Sequence, residues 1–177
     1  VMLFQIPNYH KLIALSDGGM VPYPTLPEKA EIVKNAVAAL TAIGCDEPKV
    51  ALLCGVEKVN EKMRETVEAA ALADMNARGE ITDCVVIGPI SYDVAMRADI
   101  ARHKGYDCAY CGDFDALIVP DLVSGNILGK CLIVSAGASL AGIVVGAKAP
   151  IVVPSRASSA EEKFQSIAFA ALTAAGS

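Results

Sequence analysis

Ser155 and Arg156 stand between an apolar run and the start of a helix, inside residues 146–162, GAKAPIVVPSRASSAEE. A hydroxyl and a guanidinium beside the positive end of a helix dipole can hold a phosphate, or the oxyanion that develops during acyl transfer. Residues 150–153 read as a short strand, because Ile151, Val152 and Val153 are β-branched in succession and suit a pleated backbone. Ser158 and Glu161 have the spacing of a capping box, which would open the last helix. The same residues also describe a plain capped turn with a surface arginine, and spacing alone does not separate the two readings.

A second constellation is Gly125-Asn126-Ile127-Leu128-Gly129-Lys130-Cys131. It is one residue short of a phosphate loop between its glycines, and Cys131 stands where a Ser or Thr would hold magnesium, so nucleotide hydrolysis has little support. Asn126 and Lys130 lie four apart on an expected helix, share a face, and could both point into a cleft; a solvated helix face is the alternative. Cys108-Ala109-Tyr110-Cys111 has redox or metal spacing. It lacks a second such pair, and only His10 and His103 could complete a zinc site, so a structural or incidental pair is favoured and no metal is expected. Gly137-Ala138-Ser139-Leu140-Ala141 falls one glycine short of a nucleophile elbow, with no histidine after it to act as base. No GxGxxG fingerprint supports a dinucleotide cofactor.

The elements that must position these residues follow from periodicity. Residues 2–6 and 12–15 are β-like runs joined by Pro7-Asn8-Tyr9-His10, a hairpin. Thr25 and Glu28 form a capping-box pair with Pro27 in the first turn, and Ile32, Val33, Ala36, Val37, Leu40 and Ile43 continue at helical spacing until Gly44. Strands are expected at 49–54, 84–87, 116–119, 140–145 and 151–153. Helices are expected at about 61–78, 94–103, after Asp121, and at 164–174. This alternation predicts a three-layer α/β/α fold with a mainly parallel sheet and one antiparallel strand from the opening hairpin. In such sheets ligands bind beyond the carboxyl ends of strands, which singles out Asp17, Glu57, Asp121, Asn126, Ser155 and Arg156.

Composition agrees. Hydrophobic residues make up 54% and aromatic residues 5%, so the core is built from Ala, Val, Ile and Leu, as in strands buried on both faces under alanine-rich helices. A net charge of −5 argues against nucleic acid or an anionic membrane as partner and favours a small molecule or another copy of the chain. The six cysteines are scattered, which fits free thiols in a cytoplasmic protein, and no signal-peptide pattern opens the chain. The long uncharged interval 131–147 is broken by serines and glycines and is read as strand-turn-strand in a buried sheet. The chain opens on Val1 rather than Met, and its first stretch VMLFQIP is read as the interior of a longer protein.

With these pieces placed, the sequence resembles the phosphate acetyl/butyryl transferase family over nearly its whole length. The resemblance is carried by LSDGGMVPYPTLPEKAEIVKNAV from Leu15, PKVALLCGVEKVNEKM from Pro48, AALADMNARGEI from Ala70, DALIVPDLVSGNILGK from Asp115 and VGAKAPIVVPSRASS from Val145. The last stretch is closer to the butyryl branch. The resemblance implies reversible acyl transfer between coenzyme A and inorganic phosphate, with CoA as co-substrate and no tightly bound cofactor. It also implies a homodimer or larger homo-oligomer and a two-domain fold like that of isocitrate and isopropylmalate dehydrogenases. Residues of about 20–145 would then be the second domain and 146–177 a strand and helix returning to the first. Most of that first domain would lie outside this chain, which by itself is expected to be inactive.

The resemblance further implies that Ser155 and Arg156 bind the phosphoryl end and stabilise charge on the carbonyl oxygen. Glu162, seven positions after the serine where the acetyl branch has Asp, would help deprotonate the CoA thiol. Gly125 and Asn126 would line the same cleft with Lys130 following, and Gly146 would belong to the substrate-binding set. Two alternatives remain open at this stage: a domain that binds CoA or an acyl phosphate without catalysing transfer, and a phosphate acetyltransferase.

Overall fold

The structure, a computed structural model, describes residues 1–176. Six strands, β1 (Met2–Gln5), β2 (Leu12–Ser16), β3 (Lys49–Leu53), β4 (Val85–Ile90), β5 (Ala116–Ile118) and β6 (Ser139–Gly142), form one sheet in the order β4-β3-β5-β2-β1-β6. The pairings from β4 to β2 are parallel, whereas β1 runs antiparallel to both β2 and β6. The opening hairpin is therefore present as expected.

Side-chain alternation along the strands divides the core between two faces. On one face Leu3, Val50, Leu52 and Ile118 pack with α1 (Leu26–Ala42), α2 (Arg64–Ala77) and α6 (Ala160–Ala175), through residues such as Val33, Leu72 and Phe169. On the other, Phe4, Ile13, Leu15, Leu53 and Leu117 pack with α3 (Tyr92–Met96), α4 (Ala98–Lys104) and α5 (Leu122–Ala136), through Val94, Ala101 and Leu132. These three layers are the architecture that the strand and helix alternation predicts.

The helix starts obey capping chemistry. Thr25 and Glu28 close a capping box on α1, and the Asp121 carboxylate accepts from Ser124 N at 2.8 Å to open α5. For α6 the expected pair shifts by one: Ser159 and Glu162 form the box, not Ser158 and Glu161. This register buries Ser166, Phe169 and Thr173, and the inward face of the helix thereby selects which serine caps it.

Four other expectations are corrected. Residues 150–153 do not form a strand: only an isolated bridge joins Val144 and Ile151, because Pro150 and Pro154 on either side have no N–H to extend a ladder. The expected helix over 94–103 is two helices. Gly112 N donates to Ala95 O at 2.8 Å, taking the carbonyl that a continuous helix would offer to Asp99, and Arg97 is extended between them. The interval 131–147 is the last part of α5, a left-handed Gly137 and the edge strand β6. Finally, β4 continues through Gly88 and Pro89 to Ile90, which an edge position tolerates. Among the described residues, no helix is long and apolar enough to cross a membrane.

Two close contacts hold the helices in place. Lys29 of α1 reaches Glu68 of α2 at 2.6 Å with both residues buried, and Arg64 adds a second bond to Glu68 at 2.7 Å. Burial alone would raise the Glu68 carboxyl, but the two cations outweigh it and hold the group below its ordinary value of 4.5. The second contact is α5 against the loop that follows β2. A carbon added at Gly125 would lie 2.7 Å from Asp17 O and 2.9 Å from Gly18 Cα, so only glycine permits this approach.

Both contacts have measurable consequences. Lys29→Met lowers stability by about 1.5–3 kcal/mol at neutral pH, read by denaturant unfolding. A depressed carboxyl stabilises the fold above its unfolded pKa and ceases to do so as pH falls through its folded pKa. The gap between wild type and variant therefore narrows below pH 4.5. Gly125→Ala destabilises by about 1–3 kcal/mol. Gly129→Ala, whose added carbon would rest 3.5 Å from Met2 Cε, is neutral or stabilising by up to about 1 kcal/mol in the same assay.

Candidate active site

Strand β2 ends at Ser16, and the next three residues turn sharply. The Asp17 carboxylate accepts from the amides of Gly19 at 3.0 Å, Met20 at 3.2 Å and Val21 at 2.7 Å, which fixes the loop at the carboxyl end of the strand. Because β1 is antiparallel to both neighbours, its Met2 end lies on the same side of the sheet as the carboxyl ends of β2 and β6. A cleft of about 480 Å³ opens there between the Asp17 loop, α5, the end of β6 and the segment that leads into α6.

Helix α5 delivers the polar wall. Asn126 Nδ2 donates to Gly18 O at 3.2 Å, and its Oδ1 accepts from Lys130 Nζ at 2.5 Å. The four-residue spacing thus makes a short relay from an exposed ammonium, through an amide, to the loop after β2. The glycines that imitate a phosphate loop have another use: Gly125 and Gly129, also four apart, let the helix approach Gly18 on one turn and Met2 and Phe4 on the next.

The facing side comes from residues 153–166. Ser155 lines the cleft, and its Oγ accepts from Ala157 N at 3.3 Å. Glu162 lines it too, while its Oε2 accepts from Ser159 N at 2.7 Å in the capping box, so this carboxylate already carries a structural bond. The amide of Gly142 donates to Ser166 Oγ at 3.0 Å, and that hydroxyl donates to Glu162 O at 2.7 Å, which ties α6 to the end of β6.

The structure therefore brings Ser155, Glu162, Asn126 and Lys130 around one cleft, with Gly125 directly behind Asn126. Arg156 is exposed on the adjoining position and is not part of the lining. Gly146, with φ +89°, packs against the Asn35 side chain of α1 and also lies outside it. Of the other strand-end acids, Asp121 is spent on capping α5. Glu57 accepts from Ser91 Oγ and from Lys104 at 3.1 Å, and the Ser91 bond is the main cause of its lowered pKa.

Sequence reasoning gave no role to Met2, Gly18, Gly142 or Ser166, which also line the cleft. The one available signal was Asp17-Gly18-Gly19 directly after a strand, a turn whose carboxylate can collect loop amides.

The profile of the family described as Phosphate acetyl/butaryl transferase matches residues 1–171. The phosphate butyryltransferase of Clostridium acetobutylicum is 42% identical over 98% of this chain and 58% of its own length. The probable phosphate butyryltransferase of Bacillus subtilis is 46% identical over 96% of this chain and 57% of its own. A crystal structure of a branched-chain phosphotransacylase from Enterococcus faecalis V583 superposes with a TM-score of 0.89 at 35% identity, covering 98% of this chain and 62% of that one. The chain thus spans somewhat more than half the length of these relatives. A family profile matched from Val1 to Ala171, on a fold shared with a phosphotransacylase, makes the chain a member of the phosphate acetyl/butyryl transferase family.

Proposed function

We propose that this protein transfers a short acyl group, butyryl or similar, reversibly between coenzyme A and inorganic phosphate. The observation that carries the reading is that Ser155 and the Asn126–Lys130 pair line one cleft. It sets a hydroxyl, an amide and an ammonium around a space where a phosphate and a thioester carbonyl could meet. Arg156 serves this chemistry from the adjoining position by turning its guanidinium to a bound phosphoryl group. Lys130 holds the Asn126 amide in place and supplies positive charge. When CoA attacks the acyl phosphate, Glu162 takes the thiol proton through Oε1, its Oε2 being engaged at the helix start, and in the opposite direction it returns that proton to the leaving sulfur.

The reaction follows as direct attack of phosphate oxygen on the thioester carbonyl within a ternary complex. The C–S bond breaks as the phosphate O–C bond forms, the proton of the attacking hydrogen phosphate passes by way of Glu162 to the departing sulfur, and CoA leaves as the thiol. Support for direct transfer is that no cysteine is among the residues lining the cleft. Burial pushes Cys54 and Cys84 up to about 11, and raises Cys45 and Cys111 as well, all unfavourable for a thiolate nucleophile. His10, in the hairpin turn, is engaged with Asp113 at 2.9 Å.

Under the same reading CoA is a co-substrate, and the protein acts as a homo-oligomer in the cytoplasm. Residues of about 20–145 form one domain, and 146–177 lead back to another. The exposed Val153, Phe164 and Ile167 on that last segment favour a further apolar partner for it. Gly146 gives the segment its turn at a left-handed backbone position.

The test is thiol release from butyryl-CoA by the intact protein, with and without phosphate. Release should require phosphate, and Arg156→Ala or Ser155→Ala should lower kcat by about 100-fold or more. Phosphate-independent release, or none from any short acyl-CoA while CoA still binds, would favour a binding domain without transfer chemistry. Incubation with butyryl-CoA alone should leave the protein mass unchanged, and a stable butyryl adduct on Cys or Ser in the mass spectrum would rule out direct transfer.

A further inference from the structure

The cleft is not uniformly polar. Besides Ser155 and Asn126 it is lined by Met2, Leu140 and Gly142 from the sheet and by Ile133 from α5. Met2 and Gly142 are register partners on β1 and β6, so they stand side by side on one face. A carbon added at Gly142 would find nothing within 4 Å, which means that the missing side chain leaves open space in the cleft. Met2 Cε sits against Gly18 and 3.5 Å from where a side chain on Gly129 would begin, so a flexible thioether forms the floor.

Resting on the transferase reading above, we infer that this recess between Met2, Gly142, Ile133 and Leu140 receives the hydrocarbon chain of the acyl group and sets the chain length the protein accepts. An apolar recess of this kind suits hydrocarbon, and it is poor for the amide-rich arm of CoA. The Gly142 N–H is already taken by Ser166 Oγ, and none of the four side chains carries a hydrogen-bonding group. The absent side chain at Gly142 provides width, and the unbranched Met2 can shift to admit straight or branched chains.

The test compares kcat/KM for acetyl-, butyryl- and isobutyryl-CoA in the intact protein with saturating phosphate. Gly142→Val places its first added carbon where no protein atom lies within 4 Å, projects its methyl groups from there, and keeps the backbone N–H that donates to Ser166 Oγ. The butyryl-to-acetyl ratio should fall about tenfold or more. Ile133→Ala, which enlarges the same space from the helix side, should raise the isobutyryl-to-acetyl ratio several-fold. Unchanged ratios in both variants would overturn the assignment while leaving the transferase reading intact. An equal rise in KM for every acyl-CoA and for free CoA in the reverse reaction would also overturn it, and would place the CoA arm in the recess. Wild type inactive on all three thioesters would remove the transferase reading itself, and this inference with it.

Discussion

The molecule depends on how closely α5 can lie against the loop after β2. At Gly125 there is no room for a single carbon between the helix and Asp17 O, and this contact aligns everything downstream. It brings Asn126 within reach of Gly18 O, sets Lys130 one turn above, and puts Gly129 over Met2 at the end of the sheet. A larger residue would tilt the helix and break the relay and the recess together. The Asp17 carboxylate makes the complementary contribution, since three amides converge on it and give α5 a fixed surface to meet. Packing and chemistry thus share one contact, the reason a glycine pattern that imitates a nucleotide loop serves a different end here.

Much of the fold was legible because local signals and burial agreed. The Thr25 and Glu28 box, the helix after Asp121 and the apolar strand through Val50, Ala51, Leu52 and Leu53 each had a physical reason in a few residues, and each is present. What was misread depended on partners distant in sequence. Gly112 divides α3 from α4 by taking a carbonyl of Ala95, and nothing between 94 and 103 announces it. Ser158 and Ser159, followed by Glu161 and Glu162, offer two equivalent boxes. The choice is made by Ser166 and Phe169, which must face inward.

The candidate site divides in the same way. Spacing alone placed Asn126 and Lys130 together, position between an apolar run and a helix start singled out Ser155, and resemblance drew attention to Glu162. That these four share one cleft could not be read from order in the chain, because it follows from an antiparallel β1 inserted between β2 and β6. The recess was invisible for a simpler reason: a glycine in a strand and a methionine near the hairpin have no signature apart from the surfaces they leave open.

The single bridge between Val144 and Ile151 sets how firmly Ser155 is held. Beyond that bridge the backbone has little ladder until the capping box of α6, so residues 152–158 are suspended between two small anchors above a rigid sheet. Opening such a span releases few hydrogen bonds and little buried apolar area, and its free energy lies far below that of global unfolding. The amides of this span should then exchange with solvent deuterium well before those of β3 or β5. The hydroxyl of Ser155 belongs to a locally low-stability unit that a bound ligand, by bridging to Asn126, would tighten.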